Sequence, residues 1–124
     1  VLSYTFAAID EGHLAPEDVV ALRAALEDAR TFRREQLAGL AEIWPSHGNL
    51  PPDQHTVARE EVLTTLATAA RAVLVEVDAA LSRIDTGHYG SCHLCDQPIP
   101  VRRLRILPHA RYCGPCHQLR EAVT

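Results

Sequence analysis

The chain has 124 residues, 47% hydrophobic, 23% charged and 5% aromatic, proportions that suit one globular domain or one domain with an appendage. So few aromatics beside abundant Leu, Ala and Val exclude an all-β sandwich and point to a core of packed helices. The formal net charge of −4 divides unevenly, with 7 arginines against 14 acidic residues in residues 1–87 and 5 against 2 in residues 88–124, so no strong polyanion footprint is present.

No run approaches the eighteen or so apolar residues of a membrane span, and no cationic start leads into an apolar stretch, so the chain reads as cytoplasmic with no membrane partner. All 12 cations are arginine, a composition that GC-rich codons produce without any functional cause.

The first segment holds an apolar stretch from Tyr4 to Ile9 followed by Asp10, Glu11 and Gly12, and is expected to dock as a short helix. From Pro16, suited to a first helical position, apolar side chains recur at Val19, Leu22, Leu26, Ala29, Leu40 and Ile43. That rhythm predicts a helix over about 16–43. Arg33 and Gln36 interrupt it, so the stripe is expected to drift and its contact to rearrange there. Residues 45–52 contain three prolines and one glycine, which no helix interior tolerates; about 45–53 is therefore a stiff tip.

A second helix is predicted over about 53–85. Leu63, Leu66, Ala70, Val73, Val77, Ala80 and Ile84 take its a and d positions, while Arg59, Glu60, Arg71, Glu76, Asp78 and Arg83 lie off the seam. Two long helices on a short linker fold back antiparallel, and Ala29, Ala70 and Ala80 allow close approach. The expected fold is mainly α, a long antiparallel helical hairpin of coiled-coil type within residues 1–87, followed by a small four-cysteine zinc finger with a short C-terminal helix in residues 88–124. A third helix or a second chain would also cover such a stripe, though the pattern favours the free-standing hairpin.

Seventeen residues separate Cys92-x-x-Cys95 from Cys113-x-x-Cys116, the spacing by which two knuckles meet at one tetrahedral zinc. Residues 88–124 are too few and too polar for a core of their own, and a metal supplies the missing stability. Two disulfides are disfavoured by the reducing compartment and the paired spacing. A redox pair lacks its βαβ setting, and a catalytic zinc lacks an open position. Four thiolates and Zn²⁺ bring the local charge to about +1. His93 and His117 adjoin ligands and are read as solvent-facing or as donors to the thiolates.

Gly90 and Gly114 are expected to serve the knuckle turns, with Pro115 opening a helix that carries Leu119 and Val123. In Val101-Arg102-Arg103-Leu104-Arg105-Ile106 the aliphatic residues are expected to face the helical base and the arginines to face out. No glycine-rich phosphate loop, nucleophile motif or open metal site points to an enzyme.

The run Gly87-His88-Tyr89-Gly90-Ser91-Cys92-His93-Leu94-Cys95, with Ile99, Arg102-Arg103-Leu104, Pro108 and Cys113-Gly114-Pro115-Cys116, resembles the DksA/TraR family of zinc-finger transcription regulators. In sequence the resemblance covers about residues 57–120, and in architecture residues 16–56 as well. It implies a protein that binds RNA polymerase directly, hairpin in the secondary channel and tip toward the active site, with no DNA contact of its own. Family tips carry acidic residues, and the matching stretch here is Asn49-Leu50-Pro51-Pro52-Asp53-Gln54. Only Asp53 is acidic, and it reads equally as a plain helix N-cap.

Some members bind guanosine tetraphosphate through basic residues where this chain has Glu76, Leu107 and His117. A carboxylate and an aliphatic group at those positions are expected to abolish charge-assisted phosphate contacts. The competing reading is a zinc-ribbon adaptor that holds nucleic acid or another protein through Arg102, Arg103, Arg105 and Arg111, with the helices used for dimerisation.

Overall fold

A computed structural model describes residues 14–43 and 54–123. The stretch Tyr4 to Ile9 and the tip residues Asn49, Leu50 and Asp53 lie outside the described residues. Four helices follow in chain order: α1 (Pro16–Ile43), α2 (Gln54–Thr86), α3 (Val101–Ile106) and α4 (Gly114–Val123). The first two coincide with the expected helices to within a residue. At about 1.5 Å per residue they extend roughly 42 and 50 Å. No helix among the described residues is long and apolar enough to cross a membrane.

The start of α1 and the end of α2 are both fixed by hydrogen bonds. Asp18, in the first turn of α1, accepts a hydrogen bond from the Ala15 backbone N–H at 3.2 Å, a side chain reaching back to a helix-start donor as in a capping box. At the end of α2 the His88 N–H donates to the Arg83 carbonyl at 2.8 Å and the Gly87 N–H to the Ile84 carbonyl at 3.2 Å. With Gly87 at φ +77°, this is a Schellman stop, and the left-handed residue is a glycine because it alone bears no Cβ penalty.

The helices pack antiparallel. Arg23, early in α1, pairs with Asp85, late in α2, at 2.9 Å, while Leu37 and Leu40 share a cleft with Thr64 and Ala67 near the opposite end. Leu26, Val77, Ala80 and Leu81 form the buried seam, with Ala29, Val73 and Ile84 beside it. Ala80 is completely buried, so its small side chain sits where the axes approach.

The seam departs from the expected heptad at one position. Leu66 is 43% exposed, and its neighbour Ala67 is buried instead. A helix advances 100° per residue, so a stripe through Leu63, Ala67 and Ala70 keeps to one side whereas Leu66 rotates off it. On α1 Arg33 and Gln36 are half-buried, and the Arg33 guanidinium donates to the Gln36 amide oxygen at 3.0 Å. Phe32 points out and stacks on Arg33, 5.4 Å from cation to ring centre. The interruption in the sequence is a half-buried polar pair on α1.

Candidate metal centre

A second core lies at the open end of the hairpin. Leu22 of α1 is buried together with Cys92, Ile99, Leu104, Ala110 and Cys116, and Leu14, Tyr89, Tyr112 and Cys113 pack against them. Tyr89 also packs on the hairpin seam. Its hydroxyl donates to the Pro108 carbonyl at 2.7 Å, and burial pushes its pKa up to about 12. One aromatic ring thereby touches both cores and pins the loop before the second cysteine pair.

Backbone geometry aims the sulfurs. Ser91 and Pro98 form an antiparallel bridge, the Cys92 N–H donates to the Gln97 carbonyl and the Asp96 N–H to the Cys92 carbonyl, at 2.8 and 3.0 Å. Asp96 is left-handed at φ 61°, a conformation that Asp adopts more readily than most residues. The knuckle glycine that the turn requires is Gly90, at φ +97°. A Cβ there would meet Leu14 Cδ1 at 2.8 Å. Gly114, expected to serve a turn, is the first residue of α4 and has open space beside it.

The two knuckles are stitched together by the His93 N–H donating to the Arg111 carbonyl at 2.8 Å. The Arg103 Nε–H donates to the Tyr112 carbonyl at 3.0 Å. All four sulfurs lie within 4.8 Å of one another, with no disulfide joining them. Tetrahedral zinc with bonds of about 2.3 Å requires sulfurs about 3.8 Å apart, and Cys95 and Cys113 are separated by 3.8 Å. The cluster suits one zinc ion, and four thiolates leave no position for a reacting water.

The electrostatics agree. Burial acts to raise the Cys92 thiol, yet backbone N–H groups of Cys95, Cys113 and Leu94 outweigh it and pull it down to about 6. The Cys116 thiol is pushed up to about 12 by hydrogen bonding with Cys113 and by burial. Four neighbouring thiolates cannot all ionise unaided, and a dication removes the conflict.

Among the described residues neither His93 nor His117 belongs to the sulfur cluster. His93 meets Tyr112 edge to face, centroids 6.1 Å apart, and burial beside Arg83 and Arg111 lowers its pKa. His117 Nε2 lies 3.0 Å from Glu121.

The arginines divide by task. Arg103 is half-buried in its bond to Tyr112, Arg105 reaches Asp18 at 3.4 Å, and Arg102 is exposed. The expectation that the aliphatic residues of this segment face inward holds for Leu104, fully buried, and fails for Ile106, 83% exposed. A helical turn places residues 101 and 104 on one face and carries 106 round to the other.

Periodicity gave no hint of two further contacts. Arg111 donates to Glu76 of α2 at 2.7 Å across 35 residues of sequence. Asp18 both caps α1 and receives Arg105. Together they tie finger to hairpin by charge. Arg83 lies close by, its pKa lowered by burial and by Arg111.

Residues 87–122 match the prokaryotic dksA/traR C4-type zinc finger. An uncharacterized protein of Aquifex aeolicus is 44% identical over 57 residues, 46% of this chain and 39% of its own length. The RNA polymerase-binding transcription factor DksA of Haemophilus influenzae is 35% identical over 51 residues, 41% of this chain and 35% of its own length. The matches thus span well under half of either relative. The solved structure of transcription factor DksA2 from Pseudomonas aeruginosa superposes with a TM-score of 0.74 at 24% identity, over 86% of this chain and 85% of that one. This chain therefore carries a zinc finger of the prokaryotic DksA/TraR C4 type on a DksA-like helical hairpin.

Proposed function

We propose that this protein is a transcription regulator that binds RNA polymerase directly, enters its secondary channel with the hairpin, and directs the tip (Asn49, Leu50 and Asp53) toward the active site. The observation that carries this reading is the long two-helix hairpin held at its base by a four-cysteine finger. Such a shape reaches into a partner, and complementary charge between an acidic hairpin and a basic channel speeds and orients docking. In this reading the protein has no catalytic role, its zinc is structural, and Cys92, Cys95, Cys113 and Cys116 are the ligands.

Glu76 supports the expectation that guanosine tetraphosphate does not act through this protein's version of the site. Its carboxylate already holds Arg111 at 2.7 Å, so the position presents a satisfied acid where a phosphate would need a free cation.

Capture of core polymerase by the full chain tests the reading. Retention that a secondary-channel competitor displaces is expected, and run-off transcription with Asp53→Asn then reports the tip's part. Tight binding to naked DNA, falling steeply with salt, with no polymerase retained, would replace this reading with the nucleic-acid adaptor.

A further inference from the structure

At the root of the hairpin a cleft of about 490 Å³ opens between the start of α1, the end of α2 and the first knuckle. Leu14, Val19, Ile84, Tyr89, Ser91 and Pro98 line it. No charged side chain is among its lining residues, and neither are Glu76, Leu107 and His117. Val19 is half-buried yet belongs to neither buried core. The cleft is therefore an apolar surface distinct from the hairpin seam, the zinc core and the phosphate positions.

We propose that residues 4–9 of the same chain, Tyr-Thr-Phe-Ala-Ala-Ile, fold back and fill this cleft as a strap across the joint between finger and hairpin. Reach selects the occupant first. The described chain begins at Leu14, on the wall of the cleft, and Ile9 and Phe6 lie five and eight residues before it, about 18 and 29 Å at full stretch. The other apolar cleft of the hairpin, at Leu37 and Leu40, begins roughly 32 Å up α1 from Pro16, out of reach of both. Charge agrees: the six residues are neutral, as the cleft is, so filling it desolvates no ion, and Asp10 and Glu11 follow only after them. Tyr4 and Phe6 are also two of the chain's six aromatic residues, each with about 150–250 Å² to bury. So short a tether holds the segment at an effective concentration on the order of mM, ahead of the same segment on a second copy.

The test is solution NMR on the full zinc-loaded chain, with no polymerase present. Nuclear Overhauser contacts are expected from the rings of Tyr4 and Phe6 to the methyl groups of Val19 and Ile84. Phe6→Asp and Val19→Asp should each abolish them. Both should also speed exchange of the His88 and Cys92 amides, whose hydrogen bonds border the cleft, by about tenfold. Because Val19 lies outside both cores, zinc content and circular dichroism should match the unsubstituted protein. An absence of contacts between residues 4–9 and the cleft, contacts to Leu37 or Leu40 in their place, or exchange unmoved by Val19→Asp would overturn the proposal. Mixing isotope-labelled with unlabelled chains separates the remaining case: contacts found only between chains would give the cleft to a second copy and overturn it as well.

Discussion

At Gly90 two independent demands meet, a φ of +97° and a Leu14 methyl 2.8 Å from where a Cβ would stand. Gly90→Ala should therefore lower stability by about 1–3 kcal/mol, the usual cost of a strained backbone position, read as a lower thermal midpoint at unchanged zinc content. Tyr89 predicts a pH dependence. Its phenol has a pKa of about 12 in the folded chain against 10.0 when unperturbed. The folded state thus keeps a proton that the unfolded state releases. The stability this group contributes is complete below pH 10 and is lost as pH rises toward 12. Tyr89→Phe should flatten the stability curve over that window in denaturant titrations, and should weaken the protein at neutral pH by about 1 kcal/mol through the lost bond to Pro108.

Between the helices, burial decides which apolar residues matter. Leu26→Ala opens a cavity in the fully buried seam and should cost about 2–5 kcal/mol. Leu66→Ala, at a position 43% exposed, should cost about 0.5 kcal/mol or less. Comparing the two urea midpoints tests the seam, since a strict heptad would make both substitutions costly. The existence, type and extent of both helices were legible because a three-four apolar rhythm runs between Pro16 and a proline-rich tip, and again up to Gly87. The one-residue slip at Leu66 was not legible, because which of two adjacent apolar residues faces inward depends on how far the opposing stripe has drifted past Arg33 and Gln36. Ile106 was misplaced for a related reason: the segment is a helix, and alternation by pairs does not survive a 100° step.

For the molecule as a whole, the metal cluster was readable from spacing alone, since paired cysteines constrain a site however the intervening chain runs. The link between finger and hairpin was not. Glu76–Arg111 joins residues 35 apart, and Leu22 looked like any other stripe residue until it was found among the cysteines. Chelation of zinc, or Cys116→Ser, should therefore do more than loosen the finger. Metal content should fall below one ion per chain, α3 and α4 should lose their amide protection, and protection in α1 should fall around Leu22 while persisting around Leu26. Metal analysis reads the first, and hydrogen exchange reads the other two.

Leu22 belongs to the metal-clasped core, and Leu26, one turn further, belongs to the hairpin. Roughly 32 Å of helix separates Leu22 from Ile43, and over such a lever a swing of about 5° at the root becomes a displacement of about 3 Å at the far end. Accuracy at a distance is thus set by how stiffly one leucine is gripped, and a small residue there should blunt the reach of the arm without touching it.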